Sequence, residues 1–280
     1  MTVIDAHHHF WWIANRPHSW PKEVGDRLDR DFTPDDLAPV MRAAGVDATV
    51  LTQSLNDYEE TQEYLDLAAK TPFVRGVTGW IPLDKPEGVE PALEGLKNRD
   101  KLVSIRHLLR HDTSQDWFDN PKLPESLAIL AQHGIGYEQV PSEPAHFKGL
   151  LAIADKVPQL QIVICHLGRP PVAEKDWEPW ATFITRCAER PNMAIKLSVG
   201  IAVLVTGWQW STDELRRYSD HVLEHFGPKR VLAASNWPVI LLGGSYEEVW
   251  RGTTDLVSHL SPDERADVLG GTAERVYRLK

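Results

Sequence analysis

The sequence predicts a (β/α)8 barrel (a TIM barrel) of the α/β class, formed by residues 1–280 as one domain. Short β-rich runs alternate with helical patterns from one end of the chain to the other, which is typical of βα units around a parallel sheet. There are eight such runs, and a chain of 280 residues has a usual length for this barrel. No repeat, low-complexity stretch or change of composition marks a second domain.

The predicted strands are apolar in the middle, and several are apolar on both faces, as at 48–51 and 161–164. Such strands are expected where helices cover the outside of a sheet and layered side chains fill its inside. In chain order the predicted strands are 3–10, 48–53, 74–83, 102–109, 135–140, 161–167, 193–199 and 230–237.

Helix start signals lie between these strands. Thr33 precedes Pro34 and two acidic residues, which predicts a helix that begins there and ends near Gly45. Similar signals are found at Asn120-Pro121, Ser142, Ser211 or Thr212, and Ser261. Two longer irregular segments, 11–32 and 199–211, follow the first and seventh strands. Because loops of this length in a barrel are usually functional, we expect both to act as lids.

Charge and cysteine content exclude several classes of protein. The formal net charge is −10, the acidic residues are scattered, and no basic stripe is present, which opposes binding to nucleic acid or to an anionic membrane. Two cysteines, Cys165 and Cys187, are too few for a disulfide framework and too far apart for a CxxC metal site. With no signal peptide pattern and no apolar run of about 20 residues, the sequence predicts a cytoplasmic protein.

Histidines stand where two predicted strands end, and the carboxyl ends of the strands carry the chemistry of a parallel barrel. In the first strand, alternation places His7 and His9 on one face and His8 on the other. Two imidazoles at this spacing can converge on a metal ion or on one substrate oxygen. His166 ends the sixth strand before a turn, so we expect it at the barrel mouth with them. The alternatives are a chance surface cluster and a satisfied core histidine.

The fourth strand ends with Arg106 and His107, of which alternation lets only one face the centre of the barrel. Arg106 could clamp a carboxylate with two hydrogen bonds, or pair with a structural acid. Glu138 lies on the fifth strand. All three are candidate substrate-binding residues.

Tryptophan is unusually frequent, with eleven in the chain. Trp11 and Trp12 follow the first strand, and Trp208 and Trp210 follow the seventh. Flat aromatic faces suit the apolar faces of sugar rings, so we expect one indole from each pair to line the pocket, with Trp208 and Trp210 as candidate substrate-binding residues. The alternative is that they pack on neighbouring helices.

A set of short motifs occurs in a fixed order: Asp-Ala-His-x-His-Phe-Trp, Ile-Arg-His, His-Leu-Gly-x-Pro, Pro-Asn-x-x-x-Lys-Leu-Ser, Phe-Gly-Pro-x-Arg and Ser-x-Trp-Pro-Val. Together they closely resemble the sugar-lactonase branch of the amidohydrolase superfamily, which includes fuconolactone, rhamnonolactone and pyrone-dicarboxylate lactone hydrolases. The resemblance covers essentially the whole chain.

The resemblance implies a (β/α)8 barrel that opens a small-molecule lactone with water. It implies that His7, His9 and His166 surround the lactone carbonyl and that Arg106 binds a substrate hydroxyl or carboxylate. Many members of this branch do not need a metal, so no cofactor is expected to be required. A single weakly held zinc ion on the three histidines is the alternative.

Position 236 departs from the family pattern. The pattern has an aspartate there, the general base for the attacking water, whereas this chain has Asn236. A carboxamide can hold a water but cannot take its proton. Three explanations are open: an introduced substitution that traps a ligand, another base (His107, Glu138 or Asp5), or a change of function. The sequence therefore predicts hydrolysis of a sugar-acid lactone or a similar cyclic ester, with an aldarolactone isomerase or a catalytically silent sugar-acid binder as alternatives.

Overall fold

The computed structural model describes residues 2–16, 18, 22–109 and 117–280. Eight parallel strands pair in sequence order, each with the next, and this confirms the predicted (β/α)8 barrel. A bridge between His8 and Trp237 joins the first strand to the segment after the eighth, so the sheet is nearly closed. The strands are β1 (Ile4–His8), β2 (Ala48–Thr52), β3 (Val74–Gly79), β4 (Leu102–Arg106), β5 (Gly136–Gln139), β6 (Ile162–Ile164), β7 (Met193–Leu197) and β8 (Val231–Ala233).

All eight strands end earlier than predicted, and after β6 and β8 the chain turns sharply. His166 and Asn236 lie beyond β6 and β8, with φ angles of 55° and 62°. Few residues other than glycine adopt this left-handed conformation, although Asn and His do so more readily than most. The strand ladders therefore stop before the two positions, and their side chains belong to turns at the barrel mouth.

Helices connect the strands in the βα alternation that the sequence predicts. The described part of the chain contains α1 (Pro34–Ala43), α2 (Tyr58–Ala68), α3 (Val89–Gly95), α4 (Leu123–Gln132), α5 (Pro144–Lys156), α6 (Trp180–Ala188), α7 (Ile201–Leu204), α8 (Thr212–Phe226), α9 (Tyr246–Leu256), α10 (Pro262–Ala266) and α11 (Thr272–Val276). A π-helical turn, Asp267–Gly271, joins the last two. No described helix is long and apolar enough to cross a membrane.

The helix starts agree with the sequence signals to within a few residues. The Asp36 carboxylate accepts hydrogen bonds from the backbone and hydroxyl of Thr33, and Ser211 caps α8 by accepting from the Glu214 backbone. At α5 the capping position is Glu143 instead of Ser142, because Pro144 is the first helical residue. The two long loops at the barrel mouth contain short helices, a 3-10 helix at Lys22–Leu28 and α7 at Ile201–Leu204.

Small and branched apolar side chains fill the inside of the barrel, below the histidines. They come from six strands and from the C-terminal segment, and they are all buried: Ile4, Ala6, Ala48, Val50, Val103, Val163, Ala194, Leu232, Ala273 and Tyr277. Because these side chains fill the inside of the barrel, the cavity beside the histidines lies above this layer, at the strand carboxyl ends.

Candidate active site

Three imidazoles meet at the top of the barrel. Nε2 of His7 lies 3.1 Å from Nε2 of His9. The ring centroids of His7 and His166 are 4.6 Å apart. His8 points the other way, as alternation predicts, and its Nε2 lies 2.8 Å from the hydroxyl of Thr49. Alternation along β1 therefore separates the structural His8 from His7 and His9, which converge with His166.

The neighbours of His7 and His9 determine which nitrogen of each ring carries the proton. Two groups that can only donate face His7: Lys196 Nζ lies 3.1 Å from Nδ1, and Arg106 Nη1 lies 3.4 Å from Nε2. The nearer group, Lys196, donates to Nδ1, so the proton is on Nε2 and the longer contact with Arg106 is not a hydrogen bond. Nδ1 of His9 lies 2.8 Å from the Thr52 carbonyl, which can only accept, so His9 carries its proton on Nδ1. The Nε2–H of His7 therefore donates to Nε2 of His9, and the hydrogen bonds run in one direction from Lys196 to Thr52.

Burial keeps these two imidazoles neutral. It lowers the pKa of His7 well below the ordinary 6.5, and the charge of Lys196 lowers it further. Burial and the nearby charge of Arg106 likewise lower the pKa of His9. The imidazoles of His7 and His9 therefore act as uncharged donors and acceptors beside the positive charges of Arg106 and Lys196.

Glu138 lies below the histidines, fully buried and paired with the equally buried Lys196 at 2.6 Å. Its carboxylate also accepts hydrogen bonds from Thr78, Tyr277 and the thiol of Cys165. Burial opposes the charged carboxylate, but the ammonium beside it lowers the pKa of Glu138 below its usual value. The structure therefore places Glu138 under the site, as the counter-ion of Lys196, and not in contact with the cavity.

A cavity of about 280 Å³ opens above the imidazoles. Its polar lining residues are His9, Ser54, Arg106, Gln139, Ser142, His166, Arg169 and Asn236, and its other lining residues are Trp11, Leu108, Leu109, Val140, Gly200, Ile201, Ala202, Val205 and Val239. Within the described part of the chain no carboxylate lines this cavity. One side is thus polar with two guanidinium groups, and the other is apolar.

Arg106 is held rigidly in this lining. Its Nε donates to Oε1 of Gln53 at 2.8 Å, and its second terminal nitrogen donates to the same oxygen and to the Gln53 carbonyl, each at 2.5 Å. The remaining terminal nitrogen lies 3.4 Å from Nε2 of His7. Because most of its donors are already engaged, the guanidinium presents one edge to the cavity at a fixed position.

Asn236 also has a fixed orientation. Its backbone N–H donates to the His7 carbonyl at 2.8 Å, and its side-chain amide Nδ2 donates to the Val199 carbonyl at 2.8 Å. The carbonyl oxygen of Val199 requires a donor, so the amide nitrogen faces it and Oδ1 is left as the acceptor. The site therefore holds a carboxamide in one orientation.

Several sequence candidates lie away from the cavity. The ring of His107 stacks on Trp117 at 3.6 Å, and its Nδ1 accepts from Trp80 at 3.2 Å. Trp208 donates to Glu214 at 2.6 Å, beside α8. Trp210 packs beside Gly252 of α9. Both indoles of the seventh loop therefore contact neighbouring helices, and neither lines the cavity. From the first loop, Trp11 lines the cavity.

Several residues at the site were not among the sequence candidates, and three of them bear on its charge and geometry. Lys196 is a charged residue inside an apolar strand, and that mismatch was a usable signal, because a buried lysine needs a partner. Gln53, which holds Arg106, and Arg169, in the turn after β6, carried no comparable signal. Their positions depend on contacts between distant segments.

The possible metal ligands divide into two groups. His7, Glu138 and Cys165 have ligand atoms within 4.8 Å of one another. However, Lys196 lies 2.6 Å from Glu138 and 3.1 Å from His7. Its ammonium group therefore already occupies the position that a metal ion would take. In the second group, the Nε2 atoms of His7 and His9 are 3.1 Å apart. This separation is compatible with two nitrogens bound to one zinc ion at about 2.0–2.1 Å. The spacing of these two nitrogens thus allows a single zinc ion.

Known proteins similar to this chain include amidohydrolases and sugar lactonases. A family model described as amidohydrolase matches residues 4–279. An L-fucono-1,5-lactonase from Burkholderia ambifaria is 36% identical over 283 residues, covering 99% of this chain and 95% of that protein. A second L-fucono-1,5-lactonase, from Burkholderia multivorans, is 31% identical and covers 99% and 96%. A crystal structure of a Burkholderia multivorans amidohydrolase with bound zinc is 29% identical, with a TM-score of 0.87 over 100% of both chains.

Proposed function

The chain belongs to the amidohydrolase family and is a lactone hydrolase, and from this premise we propose that it opens a sugar-acid lactone with water in the cavity above His9. The observation that carries the proposal is the arrangement of one rigid guanidinium, Arg106, beside neutral imidazoles in a small cavity. Such an arrangement suits a reaction in which negative charge develops on a carbonyl oxygen.

Arg106 binds the lactone carbonyl in this proposal. Its guanidinium is held by Gln53, so it does not have to reorganise when charge develops on the oxygen of the tetrahedral intermediate. Donors that are oriented in advance, in a site that excludes water, stabilise an oxyanion more strongly than bulk water does. The imidazoles of His7 and His9 are neutral, so the cationic stabilisation comes from Arg106.

His166 is the base that we assign to the attacking water. His9 is fixed on both sides, by the Thr52 carbonyl and by the Nε2–H of His7. By contrast, Nδ1 of His166 lies 2.9 Å from the hydroxyl of Ser198, which can either donate or accept. His166 can therefore change its protonation state while keeping this hydrogen bond.

Asn236 positions the water, since its Oδ1 is an acceptor in the cavity lining. His166 takes one proton from the water as its oxygen bonds to the lactone carbon. When the ring C–O bond breaks, His166 returns that proton to the leaving oxygen, and the product is the open hydroxy acid. None of the alternative bases lines the cavity: Asp5 is buried against Ser235, Glu138 is paired with Lys196, and His107 is stacked on Trp117.

We derive no step through a metal ion. Two fixed cations, Arg106 and Lys196, lie within 3.4 Å of the His7 ring nitrogens. No described carboxylate lines the cavity to offset their repulsion of a second cation. Catalytic zinc sites usually have three protein ligands, and here Asn236 supplies only a neutral amide where an anionic ligand would strengthen binding.

The experiment is turnover of a panel of five- and six-membered aldonolactones, followed by the release of acid. We expect hydrolysis by the wild-type protein and a loss of roughly 10²-fold or more in kcat for Arg106→Gln and for His166→Gln. The matched control is His107→Gln. His107 directly follows Arg106 at the end of β4 but lies outside the cavity, so this variant should keep the wild-type kcat. NMR of the products separates hydrolysis from isomerisation. Binding without turnover of any lactone would contradict the proposal and favour a silent binder.

A further inference from the structure

A second cluster of metal-binding side chains lies on the outer surface of the barrel. His221, Glu224 and His225 occupy positions i, i+3 and i+4 of α8, so they share one face of the helix. One ligand atom from each lies within 4.8 Å of the others. The cluster is unrelated to the cavity, because α8 covers the outside of β7 and β8.

The hydrogen bonds of His221 leave one ring nitrogen suited to bind a metal. Its Nε2 lies 3.1 Å from the Ala181 carbonyl of α6 and 3.2 Å from the Thr185 hydroxyl. The carbonyl only accepts, so the proton of His221 is on Nε2 and the lone pair is on Nδ1. The neighbouring helix thus selects the tautomer and holds the ring in place.

His225 contributes the observation that points most directly to a ligand. Its Nδ1 is buried and has no hydrogen-bond partner among the described residues. The rings of His221 and His225 are close, with centroids 4.2 Å apart. A buried polar atom without a partner is costly, and a bound cation would satisfy it.

The charges around the cluster favour a cation. Glu224 is exposed on the same face and supplies a carboxylate. The guanidinium of Arg230 is turned to the main chain, where it donates to the His225 carbonyl at 3.4 Å.

We propose that His221, Glu224 and His225 form a surface site for a divalent transition metal ion of the zinc class. Two imidazole nitrogens and one carboxylate oxygen are a ligand set that zinc accepts, with the remaining position open to water. The ion would stabilise α8, since His221 is also bonded to α6. The same donors would bind copper(II) and nickel(II).

The test is zinc binding to the purified, metal-free full-length protein, measured by equilibrium dialysis and by the shift in melting temperature. We expect His225→Ala to lose one equivalent of zinc and the associated rise in melting temperature. Glu224→Gln should bind the ion roughly tenfold more weakly, since it keeps both imidazoles but removes the charge. The control, His133→Ala, removes a partly exposed histidine that pairs with Glu90, and it should retain the equivalent.

A His9→Gln variant separates this site from the cavity, because any zinc bound there would be lost in that variant alone. The metal-free melting temperatures of all variants are compared first, so that a folding defect is recognised. Copper(II) gives a second readout, since Trp177 and Trp180 have ring centroids 5.0 and 5.4 Å from His221 and their fluorescence would be quenched. Equal zinc stoichiometry and equal quenching in the wild type and in His225→Ala would overturn the proposal.

Discussion

Lys196 donates to Nδ1 of His7 across 3.1 Å from inside the barrel, where both side chains are fully buried. This hydrogen bond places the proton of His7 on Nε2, which in turn donates to His9. The orientation of the imidazoles at the cavity floor thus depends on a lysine that the substrate does not reach. Lys196 is a positioning residue, and its role can be tested separately from its contribution to folding.

Replacing Lys196 with methionine should lower kcat by roughly 10²-fold, because His7 loses the donor that selects its tautomer. It also leaves the Glu138 carboxylate buried without a counter-ion, which should lower the free energy of unfolding by about 3–5 kcal/mol. The double variant Lys196→Met/Glu138→Gln separates the two effects. Its thermal stability should recover towards that of the wild type while kcat stays low. Recovery of kcat in the double variant would show that Lys196 acts only on stability.

Asn236→Asp should not raise lactonase activity. The amide Nδ2 donates to the Val199 carbonyl, and a carboxylate there would place two oxygens against each other. We expect kcat to fall roughly tenfold in Asn236→Asp and also in Asn236→Ala. Both variants leave the Val199 carbonyl without its donor, and an unpaired buried carbonyl costs about 1–3 kcal/mol. Initial rates of the three proteins on one lactone give the comparison. A faster Asp variant would instead identify Asn236 as a disabled general base.

Activity should survive removal of metal. The cations Arg106 and Lys196 beside His7 oppose a zinc ion in the cavity. After dialysis against a chelator, kcat and KM should equal those of the untreated protein, and added zinc should not increase them. Loss of turnover on chelation, restored by zinc, would show that a metal takes part in the reaction.

Two tryptophans form a matched pair. Trp11 lines the cavity and donates to the Arg30 carbonyl at 2.8 Å, whereas Trp208 donates to Glu214 beside α8. Trp11→Phe should raise KM by roughly 3- to 10-fold, the size of one aromatic contact. Trp208→Phe should leave KM unchanged and lower the melting temperature slightly. An equal increase in KM for both variants would contradict the prediction that Trp11 contacts the substrate and Trp208 does not.

Stability should fall in acid partly because of His8. Burial lowers the pKa of His8 from 6.5 to about 3, so the folded protein keeps this ring neutral while the unfolded chain binds a proton. The free energy of unfolding therefore decreases as the pH falls from about 6.5 towards 3, and His8 contributes up to about 1.4 kcal/mol per pH unit.

The His8→Gln variant tests this slope, since an amide can keep the hydrogen bond to Thr49. Denaturant unfolding at several pH values should show a shallower loss of stability in acid for this variant. His259→Gln, at an exposed position, is the control and should follow the wild type. Identical slopes for all three proteins would mean that His8 does not carry the effect.

The sequence by itself determined the fold class, the order of the strands and the family. Alternation of apolar and polar residues along β1 was enough to separate His8 from His7 and His9, because successive side chains of a strand point to opposite faces. Charge and motif content also predicted a small-molecule enzyme. These properties are local or additive along the chain, so they can be read without knowing which distant residues meet.

Only the tertiary structure decided which candidates share the cavity. Glu138 and Lys196 lie on different strands and neutralise each other below it, while Trp208 and Trp210 are held by α8 and α9. The orientation of Asn236 depends on the Val199 carbonyl, which belongs to the loop after β7. Such outcomes follow from hydrogen bonds and ion pairs between segments far apart in sequence, and burial makes each of those pairings costly to leave unsatisfied.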